Sequence, residues 1–195
     1  CRVAVVDVET GELRDLAKCL PGSQSLDWSP DGRTLLASGE IAQGGFALHT
    51  LSLPGSKWTP IPIERAVNDQ DVLARFSPSG QQIAFVRQRG GSDVWLVDTN
   101  GRNLRRLTQR QVEVRGLSWA PDGKTLLLST FFRQSGGPNL GRISIDGRGG
   151  IESVGMYADV GRIDVARGVP VVAVEELRGS GSIYWWKPGS APERL

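Results

Sequence analysis

Val72-Leu73-Ala74-Arg75-Phe76-Ser77-Pro78-Ser79-Gly80 opens the stretch that decides the fold. It continues through Gln82-Ile83-Ala84-Phe85-Val86-Arg87 and Val94-Trp95-Leu96-Val97-Asp98-Thr99-Asn100-Gly101 to Leu104-Arg105-Arg106-Leu107. Four short runs of alternating or continuous apolar residues are separated by turn chemistry. In the first of these turns proline fixes φ before the bend, and glycine supplies a positive φ after it. These runs are predicted to be four antiparallel strands within residues 72–109. Leu26-Asp27-Trp28-Ser29-Pro30-Asp31-Gly32 and Leu117-Ser118-Trp119-Ala120-Pro121-Asp122-Gly123 repeat the opening on either side. Ile163-Asp164-Val165-Ala166-Arg167-Gly168 repeats it in degenerate form, with its proline displaced to Pro170.

The glycines make the period explicit. Gly32, Gly80, Gly123 and Gly168 are spaced by 48, 43 and 45 residues, and Gly11, Gly55, Gly101, Gly147 and Gly189 by 44, 46, 46 and 42. A four-stranded unit repeated every 40–50 residues is the pattern of a β-propeller blade. Helical repeats fit poorly, because turn residues arrive every 10–12 positions and no stretch keeps a clean 3.6-residue period. A single sandwich would explain the alternation but not the fixed period. The expected fold class is therefore all-β. It comprises a half blade over 1–20 and four whole four-stranded antiparallel blades over about 24–63, 72–109, 115–155 and 160–195. Five turns of the second type against four of the first place the N-terminus in mid-blade. The chain is thus expected to be a fragment of a six- or seven-bladed ring, with a compact four-blade ring as the alternative.

The unit resembles the WD40-like PD40 repeat of TolB-type propellers. The resemblance rests on Phe76-Ser77-Pro78-Ser79-Gly80, Ile83-Ala84-Phe85, Val94-Trp95-Leu96-Val97, Asp98, Gly101 and Leu107-Thr108, and on the two Trp-Ser/Ala-Pro-Asp-Gly cores. It extends over nearly the whole chain and is specific for fold rather than function. It implies a non-catalytic interaction or sensing module within a larger bacterial envelope or regulatory protein. The CadC-type winged-helix regulators are one such context. The alternative is the substrate-gating propeller of a prolyl-oligopeptidase-like serine peptidase.

The charge balance of 23 basic and 21 acidic residues, net +2, does not suggest a nucleic-acid surface. The basic cluster at Arg102, Arg105, Arg106 and Arg110 carries no interleaved aromatic platform. No apolar run approaches 18 residues, so no membrane insertion is expected within this segment. Cys1 and Cys19 flank the first hairpin. A turn centred on Thr10 gives opposed positions a residue-number sum near 20, which sets the two thiols face to face at disulfide range. A disulfide points to an oxidising compartment such as the periplasm or cell envelope. Two unrelated thiols in a cytoplasmic protein are the other reading.

No catalytic residue, metal ligand or cofactor site is expected. Gly-x-Ser-x-Gly does not occur, and Gly179-Ser180-Gly181-Ser182 lies between strands with no helix after it. His49 stands alone, with no second histidine for zinc and no nearby nucleophile. Asp31 and Asp122 are expected to accept backbone N–H bonds in turns also shaped by Gly32, Gly80 and Gly123. Trp28, Trp95 and Trp119 recur at packing positions. The variable loops and linkers, Gly39–Gly45, Gln88–Ser92, Thr130–Gly141, Glu175–Ser182 and Glu64–Asp71, share one face. A protein or peptide partner is expected there, contacting Arg89, Phe131, Phe132, Arg133 and Glu176, because exposed aromatic and arginine side chains favour interface hot spots.

Overall fold

The alternation of apolar residues becomes an all-β chain in the computed structural model. It describes every residue except 24, 43, 110–112, 132–139, 156–159, 166–170, 178–179, 187–192 and 195, and gives only the backbone of 131, 155, 160–162, 171–177, 180–186 and 194. The first hairpin pairs β1 (Arg2–Val6) with β2 (Leu13–Lys18). The first four-stranded unit is β3 (Leu26–Trp28), β4 (Thr34–Glu40), β5 (Phe46–Ser52) and β6 (Thr59–Pro60). The second is β7 (Gln70–Phe76), β8 (Gln82–Gln88), β9 (Ser92–Asp98) and β10 (Arg105–Arg106). The third is β11 (Glu113–Trp119), β12 (Thr125–Phe131), β13 (Leu140–Ser144) and β14 (Glu152–Gly155). The fourth is β15 (Val160–Val165), β16 (Val171–Leu177), β17 (Ser180–Trp186) and β18 (Glu193–Arg194). Each unit is antiparallel, and one parallel pairing, Phe46 with Gln70, links the first two.

The period of two along each strand sends alternate side chains to opposite faces of its sheet. On β8, Ile83 and Phe85 join Leu36, Leu48, Ile61 and Ile63 of the first unit, whereas Ala84 and Val86 join Leu117, Trp119, Leu126 and Leu128 of the third. On β12, Leu127 turns the other way, toward Leu140 and Ile163. The cores therefore lie between successive sheets, and the second and third sheets are each buried on both faces. The first strands β3, β7, β11 and β15 pack in succession along the inside.

The turns follow the repeat. Gly32, Gly80 and Gly123 have φ of +68°, +72° and +63°, values at which a side chain would be strained. Gly55 departs from its series because its φ is not positive. An added Cβ there would meet the Ser52 carbonyl oxygen at 2.6 Å, so close approach requires the glycine. In the first hairpin, Arg2 opposes Lys18 and Val3 opposes Ala17, a sum of 20. A bulge after Val3 then shifts the register, and Val6 opposes Leu13. Cys1 and Cys19 lie on the unshifted side and are joined by a disulfide, with Cα atoms 5.4 Å apart.

Candidate functional site

One repeat position, just before the motif aromatic or, in the fourth unit, before Val165, sits near the end of each inner strand, and the packing of those strands brings its four residues to one opening. They are Asp27 on β3, Arg75 on β7, Ser118 on β11 and Asp164 on β15. They line a cleft of about 190 Å³ together with Trp28 and Trp119. Cross-unit hydrogen bonds hold it in shape. The Phe76 N–H donates to Asp27 Oδ2 at 2.7 Å, the Trp119 indole Nε1–H to the Arg75 carbonyl at 3.1 Å, and the Ser118 hydroxyl to Asp164 Oδ1 at 3.4 Å. Each bond crosses from one unit to the next, so the rim is fixed by the ring rather than by any single sheet.

Burial pushes the Asp27 carboxyl above the usual carboxylate range. The Phe76 N–H and the Arg75 guanidinium pull it back, while Asp164 across the cleft pushes it up further. Two carboxylates, one guanidinium, a hydroxyl and two indoles thus converge on a small opening. Among the described residues no group of three His, Cys, Asp or Glu side chains could hold a metal ion. The arrangement is suited to recognising a polar segment, since it contains donors, acceptors and apolar surface.

The loop face is built differently. Arg89, nominated as a contact cation, is 63% exposed, but Asp69 on the preceding linker grips its guanidinium at 2.6 Å through both oxygens. Burial alone would raise the Asp69 pKa. Arg89, the Ala66 N–H and Arg87 outweigh it and hold this carboxyl below its usual range. Beneath it, Arg87 is buried against Asp71, with Nε–Oδ1 at 2.6 Å and Nη2–Oδ2 at 2.9 Å. Its guanidinium also lies 5.4 Å from the Phe85 ring and 5.0 Å from Trp95. Phe131 ends β12, and Phe132 and Arg133 lie outside the described residues. Glu176 is in β16 rather than a loop. Pairing there runs on through Glu176–Gly181 to Leu177–Ser180, because ladder bonds use only the backbone and charged or small residues do not end them.

Asp31 Oδ1 accepts from the Ser29 hydroxyl at 2.6 Å and the Arg33 N–H at 3.0 Å. Asp122 Oδ1 accepts from the Lys124 and Thr125 N–H groups at 2.8 and 3.0 Å. His49 is buried on β5 with Nδ1 3.0 Å from the Ala47 carbonyl, and burial lowers its pKa. The inner-strand residues Asp27, Arg75, Ser118 and Asp164 were not singled out from sequence. Their signal is a single repeat position that changes charge from unit to unit while the residues on either side stay apolar.

No protein-family model matches the chain. A 51-residue stretch is 43% identical to the Tol-Pal system protein TolB of Nitratidesulfovibrio vulgaris, which amounts to 25% of this chain and 12% of that protein. Among solved structures, TolB from Acinetobacter baumannii superposes with a TM-score of 0.76 at 17% identity, over 98% of this chain and 48% of that one. A TolB-type structure from Agrobacterium tumefaciens gives 0.74 at 22% identity, over 97% and 67%. A puromycin hydrolase mutant in complex with PGG gives 0.62 at 15% identity, over 88% and 28%. The chain therefore spans about half the length of the first of these structures, and its matched stretch about an eighth of the curated relative.

Proposed function

We propose that this chain, a TolB-like β-propeller by its fold, is a non-catalytic module that binds a segment of a protein partner at the axial opening. The observation that carries this reading is the convergence of Asp27, Arg75, Ser118 and Asp164, from four successive inner strands, on one cleft beside two indoles. A segment entering along the axis meets all four units at once, and it meets the residues that vary rather than those that make the ring. The Cys1–Cys19 disulfide supports a place in an oxidising compartment, the periplasm or cell envelope. The competing placement is the loop face, with Arg89, Phe131, Phe132, Arg133 and Glu176 at the contact. It has less support because Arg89 is already held by Asp69. The likeness to a puromycin hydrolase favours a second reading, the gating propeller of a serine peptidase.

A photo-reactive amino acid placed at Ser118, and separately at Arg89, in the full-length protein tests the placement. The axial reading expects a defined protein adduct from position 118 that Arg75→Glu abolishes. Adducts from position 89 alone, or adducts insensitive to Arg75→Glu, overturn it. A Gly-x-Ser-x-Gly motif in the full reading frame, with peptidase activity, establishes the second reading instead.

A further inference from the structure

A second cleft, larger than the axial one, lies off the axis. It lies between the first and second units, on the face formed by the short first and third turns, and measures about 560 Å³, within the usual range for ligand sites. Ser29, Asp31, Thr34 and Thr50 come from the first unit, and Phe76, Ser79 and Thr99 from the second. Five hydroxyls and one carboxylate line it, with an aromatic ring and no cationic side chain.

Two of those hydroxyls break the repeat. Thr50 opposes Leu36 in its ladder, and the equivalent pairs are Ala84 with Leu96 and Leu127 with Arg142. Thr99 donates its N–H to the Gln81 carbonyl, as Leu53 does to Arg33 and Ile145 to Lys124. The equivalent positions thus carry Leu96 or Arg142 in place of Thr50, and Leu53 or Ile145 in place of Thr99. Nothing in the propeller framework requires threonine at either, yet both departures face the same cleft. Departures from a consistent pattern that serve no packing need mark functional positions. Asp31 adds a further polar group. Both of its hydrogen bonds end on Oδ1, leaving Oδ2 for a ligand, and the Ser29 hydroxyl and Arg33 N–H hold its pKa below the usual value.

We propose that this inter-unit cleft, through Asp31, Thr34, Thr50 and Thr99, is a binding site for a short neutral oligosaccharide. Hydroxyls that both donate and accept, beside an ionised carboxylate, match the alternating donors and acceptors of a sugar ring. The absence of lysine and arginine from the lining argues against phosphorylated or acidic ligands. A single ammonium group would satisfy Asp31 but leave most of the space empty. The cleft adjoins the axial opening, sharing Pro30 and Phe76 with it, but Asp31, Thr34, Thr50 and Thr99 line this cleft alone, so the proposal does not rest on the axial reading.

Saturation-transfer NMR on the protein, with maltotriose and chitotriose as saccharide probes and cadaverine as an ammonium probe, tests the assignment. Transfer to at least one trisaccharide is expected. Thr50→Leu with Thr99→Ile, which installs residues that other units already carry, should keep the melting temperature. It should weaken saccharide binding about five-fold or more, the loss of one or two hydrogen bonds. Asp31→Asn should weaken it at least as much. No transfer to either saccharide, transfer to cadaverine alone, or saccharide binding unchanged in both folded variants overturns the proposal.

Discussion

Replacing Arg87 with methionine is expected to destabilise the protein by about 3–5 kcal/mol, far more than a typical surface substitution. The magnitude follows from burial. Arg87 is 5% exposed and its partner Asp71 1%, so neither charge can recover its hydration when the other is removed. Two charge-assisted bonds to Asp71, a third from Nη1 to the Glu64 carbonyl at 3.1 Å and two aromatic faces are lost together. What remains is a carboxylate sealed in the sheet with no cation against it. Asp71→Asn should cost less, because Arg87 Nε also lies 3.5 Å from Asp69 Oδ2 and keeps one carboxylate partner. Replacing both, as Arg87→Met with Asp71→Leu, should recover much of the loss, since well-packed apolar residues can stand in for a buried ion pair.

Urea denaturation followed by tryptophan fluorescence reads the series. With a slope of about 2 kcal/mol per molar, Arg87→Met shifts the midpoint down by roughly 1.5–2.5 M. A shift below about 0.5 M, or a double variant no more stable than Arg87→Met, would refute the reasoning. The pair would then behave as a solvated surface bridge, worth at most about 1 kcal/mol.

Three further outcomes follow from the same geometry. Reduction of the Cys1–Cys19 bond should lower stability by about 3 kcal/mol through loop entropy, and without a reductant the protein should show no reactive thiol; melting with and without dithiothreitol, and thiol labelling, check both. The Asp69 pKa is depressed in the folded state, so its contribution is present above about pH 4 and is lost as pH falls through the lower folded value; Asp69→Asn should therefore show a flatter stability profile below pH 4 in acid titration. Trp119→Phe should cost about 1–3 kcal/mol, because it strands the Arg75 carbonyl in a buried interface, whereas Trp28→Phe at the half-exposed equivalent position should cost under about 0.5 kcal/mol in chemical denaturation.

The ring was legible because its determinants are local. Pro-x-Gly turns and the alternation of Ile83 and Phe85 with Ala84 and Val86 lie within a few residues of one another, and each fixes a strand's ends or its faces. The placing of Cys1 opposite Cys19 needed only hairpin arithmetic, and the bulge after Val3 falls beyond the one stretch where that arithmetic mattered. The site was not legible because its determinants are distant. Asp27, Arg75, Ser118 and Asp164 are separated by more than 40 residues at each step, and only the packing of successive inner strands makes them neighbours. The setting of Arg89 was hidden for the same reason. In sequence it is a cation in a glycine-rich loop, and the carboxylate that grips it lies 20 residues upstream on a linker.

Trp28 and Trp119 show what the repeat leaves to its surroundings. Both precede the same turn, and both begin the same ladder, opposite Leu35 and Leu126. Yet Trp119 is 5% exposed with its indole N–H bonded to the preceding inner strand, while Trp28 is 42% exposed beside Leu26 at 47%. The residue and its backbone are matched, so the difference lies in the neighbour against which the ring is pressed. A blade's sequence thus specifies a surface for its successor as much as its own strands, and each unit's stability is shared with the units beside it. The same logic separates structure from recognition. Positions that meet the next unit, such as Pro30 against Gly80, are held constant by packing. Positions that meet the axis or the inter-unit cleft are released from it. There Asp, Arg and Ser, or Thr and Leu, stand at equivalent positions of units that share one strand arrangement.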